Sequence, residues 1–282
     1  MFKSVVNFFA PSPPIEVTDS PDILKRKYNK YKWSVFLSAT FGYGLYYVCR
    51  LSLNVIKKPL IQEGFLTESQ LGIIGSALFF SYAFGKLANG FLADRSNIKR
   101  FMAAGLLISA LVNLALGFTT SFIVFTILWG INGWFQSMGP TPAIISITRW
   151  FSNKERGTYY GFFSASHNLG EAITFIAIAF LVTLSGWQWG FWGAGIIGLL
   201  GVIIITFFMH ESPQSKGLPS PHKTDEKTMQ QSAATNKNIA KAQMEVLKNP
   251  FIWILALSSA FMYVSRYAVN SWGILFLETK KG

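Results

Sequence analysis

The chain has 282 residues, of which 51% are hydrophobic and only 13% charged. A soluble domain carries about 25% charged residues, so this deficit, with repeated apolar runs of about 20 residues, reads as a polytopic membrane protein. The net charge of +12 would suit a nucleic-acid binder, but the basic residues sit in short segments between apolar runs, where they serve bilayer topology and need no nucleic acid. A lone cysteine, Cys49, excludes a disulfide framework or a cysteine metal site within one chain. No metal or cofactor is expected, and the many aromatic side chains suit lipid-facing and interfacial surface.

Residues 1–32 are expected to form a polar tail on one side of the bilayer. They hold tandem prolines and no apolar core long enough for a cleavable signal peptide, and the basic run KRKYNKYK leads into the first span. Span 1 covers 33–54. Tyr43, Tyr47, Arg50 and Asn54 follow one another at intervals of four, three and four, so a helix places them on one stripe. An arginine at that depth costs between about 2.5 and 17 kcal/mol, which calls for a partner or a ligand. YVCRLSLN (47–54) recurs as YVSRYAVN (263–270), sharing Tyr-Val-x-Arg-x-x-x-Asn. Two related halves, each offering one buried cation to a common site, would produce such a repeat.

Span 2, 70–92, sets Tyr82, Lys86 and Asn89 on one face. Lys86 reads either as a second buried cation or as a lysine snorkelling to the surface. In the loop GFLADRSNIKR (90–100), Asp94 sits near a helix end, where it can pair with neighbouring arginines and latch a conformation. Span 3 is 101–119. Span 4, 122–147, places Asn132 and Gln136 on one face, and Pro140 and Pro142 predict a kink. After the basic loop RWFSNKERG (149–157), span 5 covers 157–184 and puts His167 and Glu171 four residues apart, with Asn168 beside them. His167 is read as an interhelical hydrogen-bonding group or as a ligand contact that titrates near neutral pH; Glu171 is read as a neutraliser of a buried cation. Span 6, 190–209, contains GAGIIGLLG, a stretch for close helix packing. Residues 210–250 read as a polar linker whose later part suits an interfacial helix. Span 7, 251–277, holds Arg266 within a final segment, 251–282.

With the N-terminus in the cytoplasm, the basic tail, Arg95, Lys99 and Arg100, and Arg149, Lys154 and Arg156 fall on one side, and Lys57 and Lys58 alone fall in the opposite loops between spans 1 and 6. The asymmetry predicts a multi-pass protein of the cell (inner) membrane with a cytoplasmic N-terminus.

The loop at 90–100, with Gly90, Asp94, Arg95, Lys99 and Arg100, resembles the loop between spans 2 and 3 of the major facilitator superfamily. With FGYGLYYVCRLSLN (41–54), NGWFQSMGPTP (132–142), RWFSNKERG, SASHNLG (164–170), ESPQSKGLP (211–219) and YVSRYAVNSWG (263–273), the chain resembles the organophosphate:phosphate antiporters of that superfamily, nearest to the hexose-phosphate transporters and sensors. The resemblance implies an all-α membrane fold of two six-helix halves. This chain would then hold the N-terminal six-helix bundle (33–209), a linker (210–250) and the first helix of the C-terminal half, as a piece of a longer protein. It implies that Arg50 and Arg266 grip a phosphoryl group, that His167 helps bind substrate, and that Gly90, Asp94, Arg95 and Arg100 form a conformational latch. Tyr43, Tyr47, Tyr263 and Trp134 are candidates for the wall of the sugar site, with Lys86 and Glu171 beside them. Three positions depart from the family pattern: Leu51 replaces a lysine, Glu171 a glycine, and Ser271 an acidic residue. The implied activity is exchange of an organophosphate (hexose phosphate or glycerol 3-phosphate) for inorganic phosphate by alternating access; the alternative is a hexose-phosphate sensor that signals to a two-component kinase. An enzyme is not expected, because His167 with Cys49 is the only conceivable nucleophile–base pair.

Overall fold

The computed structural model describes residues 7–221 and 244–280, and the middle of the expected linker lies outside these residues. The chain divides into two units, Met1–Pro221 and His222–Gly282. In the first unit the helices are α1 (Pro21–Gln62), α2 (Glu68–Ala93), α3 (Ile98–Leu116), α4 (Phe122–Gln136), α5 (Pro140–Trp150), α6 (Arg156–Ser185) and α7 (Trp187–Phe208), followed by a 3-10 turn at Gln214–Lys216. The second unit holds α8 (Pro250–Lys280). The helices α2, α3, α6, α7 and Pro250–Leu277 of α8 are each long and apolar enough to cross a membrane.

The chain marks its own helix ends. Thr67 and Gln70 form a reciprocal capping box that starts α2, satisfying two of the amides a helix leaves open. Asn97 caps α3 through the amide of Arg100. Gly186, at φ 91°, makes the turn between α6 and α7 that a residue with a Cβ would strain to adopt. The expected kink in span 4 is a complete break: α4 ends at Gln136 and α5 begins at Pro140, since a proline has no amide for the preceding turn. In the second unit the Asn249 side chain accepts from the amide of Phe251 at the start of α8.

The first helix starts earlier than its apolar run suggests. Residues 21–32 are its opening turns, because Leu24, Tyr28 and Tyr31 share a face among the charges and pack on a core that includes Trp150 and Phe151. Tyr28 Oη donates to the carbonyl of Trp150 at 2.7 Å, and Lys32 pairs with Glu155 at 2.9 Å. The linker also starts later than expected. Residues 210–221 fold back onto the bundle, where Leu218 is buried in the same core, and the amide of Ile15 donates to the carbonyl of Gln214 at 2.9 Å.

The central helix is α1, which packs on α6, α7 and α5, while α2 packs on α4 and α3 on α7. Close approach is set by glycine. A Cβ at Gly170 of α6 would collide with the Gly44 backbone of α1, and one at Gly133 of α4 with the Leu78 backbone of α2. Packing of backbone on backbone is what holds helices together where lipid is as apolar as the side chains. Gly170→Ala is therefore expected to cost about 1–3 kcal/mol and to lower the melting temperature in detergent. Gly161→Ala on the same helix meets nothing within 4 Å and should be neutral or stabilising by up to about 1 kcal/mol.

Candidate functional site

Arg50 lies on α1 seven residues beyond Tyr43 and is only 5% exposed. Its guanidinium carbon sits 4.1 Å from the centroid of the Tyr82 ring on α2 and 5.7 Å from that of Tyr47. Cation–π contact of this kind stabilises a desolvated cation by up to about 2 kcal/mol. A guanidinium carries a planar N–H fork whose geometry matches an oxyanion. The Tyr82 ring also lies 5.6 Å from the ammonium of Lys86. One aromatic ring thus gathers two positive charges from two helices.

The α1–α6 contact at Gly44 and Gly170 brings His167 to the same place. The His167 ring lies 5.7 Å from Tyr47 at 36°. Tyr43 stands edge-on to Tyr47 at 5.5 Å and stacks on Phe163 at 5.3 Å. Arg50, Lys86, His167, Tyr43 and Tyr47, singled out in the sequence, therefore share one site on α1, α2 and α6, and Tyr82 at its centre joins them. The expectation that Lys86 is buried is corrected: it is exposed, and its long stem carries the ammonium back to Tyr82. Glu171 is half-buried one turn beyond His167, and Trp134 is exposed. Asn89 is turned away to brace the α4 break, donating to Ser137 Oγ at 2.7 Å. In the second unit, Tyr263 and Tyr267 stack at 5.7 Å and 23° on the turn of α8 that carries Arg266.

A cluster of two cations, tyrosines and a histidine, on helices of membrane-spanning length, is equipped to hold an anion. The Major Facilitator Superfamily profile matches residues 39–282. The chain belongs to the major facilitator superfamily. The "Probable hexose phosphate transport protein" of Chlamydia pneumoniae is 36% identical over 97% of this chain and 63% of that protein. The "Membrane sensor protein UhpC" of Escherichia coli (strain K12) is 32% identical over 97% of this chain and 63% of its own length. The "Glycerol-3-phosphate transporter" of Haemophilus influenzae is 32% identical over 97% of this chain and 61% of its own length. These relatives match the organophosphate:phosphate antiporter branch, and they are transporters and a sensor, not enzymes. The chain spans about 63% of the length of the Chlamydia pneumoniae relative. An inward-facing, unoccupied bacterial homologue of the human lysosomal transporter Spinster superposes with a TM-score of 0.65 at 21% identity, covering 88% of this chain and 55% of that one. That likeness carries the fold. As a member of the superfamily with several apolar helices of spanning length, the chain is a multi-pass membrane protein.

The superfamily loop between α2 and α3 lies at the end of the bundle that also carries the tail. Asp94 caps α2 and is exposed, as are Arg95 and Arg100. Gly90 has open space where a Cβ would stand. Arg100 Nη1 donates to the carbonyl of Phe8 at 2.8 Å, which ties this arginine to the tail. The buried carboxylate of this end is Glu211, which the sequence reading placed in a linker. It accepts from the Ser12 amide at 2.9 Å and Asn97 Nδ2 at 2.8 Å, and it faces Arg149 at 3.6 Å. Its neighbour His210 packs edge-on to Tyr31 at 4.7 Å.

Burial, then the nearby charges of Lys216 and Lys99, push the His210 pKa from 6.5 down to about 4. Between these values the folded state holds fewer protons than the unfolded one, so stability falls as pH drops through that window and is fully present above it. The expected outcome is a melting temperature in detergent that declines on acidification from pH 6.5 to 4, with His210→Gln flattening the decline.

Proposed function

We propose that this chain forms the N-terminal part of a carrier that exchanges an organophosphate for inorganic phosphate by alternating access, with a hexose phosphate favoured over glycerol 3-phosphate as the cargo. The observation that carries the reading is the Arg50 guanidinium, buried at 5% exposure against the Tyr82 and Tyr47 rings. Lys86 and His167 stand within one ring of it. A planar guanidinium makes paired hydrogen bonds to two oxygens of a phosphoryl group, which a lysine cannot do. The tyrosines offer hydroxyls to phosphate and ring faces to a sugar. Arg266, at the equivalent place in the repeated Tyr-Val-x-Arg-x-x-x-Asn, is proposed as the second guanidinium, with Tyr263 beside it; this rests on the repeat and the family resemblance. A dianion between two such cations would satisfy all three groups. Without it the cations repel, which favours a loaded carrier and so exchange over leak.

The tail, Arg95, Lys99, Arg100, Arg149, Lys154 and Arg156 all gather at one end of the first unit, and the positive-inside rule places that end in the cytoplasm. We assign the chain on this basis to the inner membrane with a cytoplasmic N-terminus. Gly90, Asp94, Arg95 and Arg100 are proposed as the latch of that end, acting with Glu211 and Arg149.

A second reading is a membrane sensor of hexose phosphate that hands its signal to a kinase. It is favoured by the identity to the sensor, 32%, which equals that to the glycerol-3-phosphate transporter, 32%. Counterflow of labelled inorganic phosphate against hexose 6-phosphate, in vesicles carrying the complete protein, decides between them. Exchange supports the carrier, whereas tight binding without exchange supports the sensor. Arg50→Lys keeps the charge and loses the fork, so inorganic phosphate should bind at least about tenfold more weakly; undiminished binding would remove Arg50 from the site. Glu171→Gln should tighten phosphate binding, as removal of a carboxylate near the cations raises the local potential.

A further inference from the structure

The residue before Arg50 is held as firmly as any in the bundle. The carbonyl oxygen of Cys49 accepts from Asn113 Nδ2 of α3 at 2.9 Å and from Asn132 Nδ2 of α4 at 3.0 Å. The Cys49 thiol donates to the carbonyl of Ala194 on α7 at 3.3 Å, and a Cβ at Gly198 would stand 2.5 Å from that sulfur. Three helices therefore converge on one residue of α1, two of them on its carbonyl, next to the arginine that reaches Tyr82.

The two amides are not equivalent. Asn113 is fully used: it also donates to the carbonyl of Ser109 at 2.9 Å and accepts from Ser52 Oγ at 2.7 Å. Asn132 is wholly buried, yet among the described residues its Oδ1 has no hydrogen-bond partner. A buried acceptor in that state costs about 1–3 kcal/mol. An isosteric leucine would avoid that cost, and the Cys49 carbonyl would still keep the Asn113 bond. A purely structural role gives no reason for asparagine here; a need to fix the rotation of α1 at residue 49 does.

We propose that Asn132 is a positioning residue for Arg50: its bond to the Cys49 carbonyl locks α1 in the rotation that presents the guanidinium to Tyr82 and to the anion. This rests on the reading of Arg50 as the anion's ligand.

The test is made on the complete protein in detergent, with inorganic phosphate as the probe and with Cys49 as a reporter. Asn132→Leu should weaken phosphate binding by about tenfold, leave the melting temperature unchanged or higher, and speed maleimide labelling of Cys49 several-fold. Ser52→Ala, which frees Asn113, should shift binding and labelling the same way by a smaller amount. Unchanged phosphate affinity in Asn132→Leu overturns the proposal, as does weaker binding that accompanies a lowered melting temperature. Weaker binding with unchanged Cys49 labelling also overturns it, since Asn132 would then act on the anion itself. Absence of phosphate binding by the unsubstituted complete protein is a different failure, and it refutes the reading of Arg50.

Discussion

The first unit is organised around one electrostatic demand: a guanidinium that cannot lose its proton sits almost sealed among apolar helices. Moving such a group out of water is opposed by several kcal/mol even after relaxation. Two aromatic faces meet part of that demand. Tyr82 lies closer than Tyr47, at 4.1 Å against 5.7 Å, so α2 contributes more than the helix that carries the arginine. Lys86, on α2 with Tyr82, shares the same ring. Its charge adds to the demand, since two cations beside one ring raise the local positive potential.

Holding that arrangement needs rigidity that the hydrophobic effect does not supply in lipid. The first unit obtains it from glycine contacts and from side-chain amides. Gly44 against Gly170 fixes α1 on α6 and so fixes Tyr47 on His167. Gly133 against Leu78, with Asn89 on Ser137, fixes α2 on α4 beside the proline break. Asn113 and Asn132 then tie α3 and α4 to the peptide beside Arg50. Each contact lies within two turns of a side chain that the site uses.

Much of this was legible in the residues alone. Spans announce themselves as apolar runs of bilayer length, the break in span 4 follows from Pro140 and Pro142, and the stripe of Tyr43, Tyr47 and Arg50 follows from helical period. Three things were hidden. The early start of α1 was masked because Leu24, Tyr28 and Tyr31 stand among lysines, where a window average sees only charge. The central place of Tyr82 was masked because periodicity tells which residues share a face of α2 but not which helix that face meets. Glu211 was masked because a carboxylate in a polar stretch reads as solvated; what buries it is the backbone of Ser12 and the side chain of Asn97, both remote in sequence.

The two ends of α1 answer to different physics, and this separation explains its length of 42 residues. Its first turns are fastened by polar bonds that water can compete for: Lys32 to Glu155, Tyr28 to the Trp150 carbonyl, and around them the tail and Glu211. Its middle is fastened by contacts water does not reach, at Gly44 and at the Cys49 carbonyl. The Lys32–Glu155 pair weakens with salt and acid, whereas contacts of the second kind do not. The salt-sensitive pair thus lies 18 residues from Arg50 along α1. The middle holds Arg50, Tyr47 and His167 in register through contacts that salt and acid leave intact.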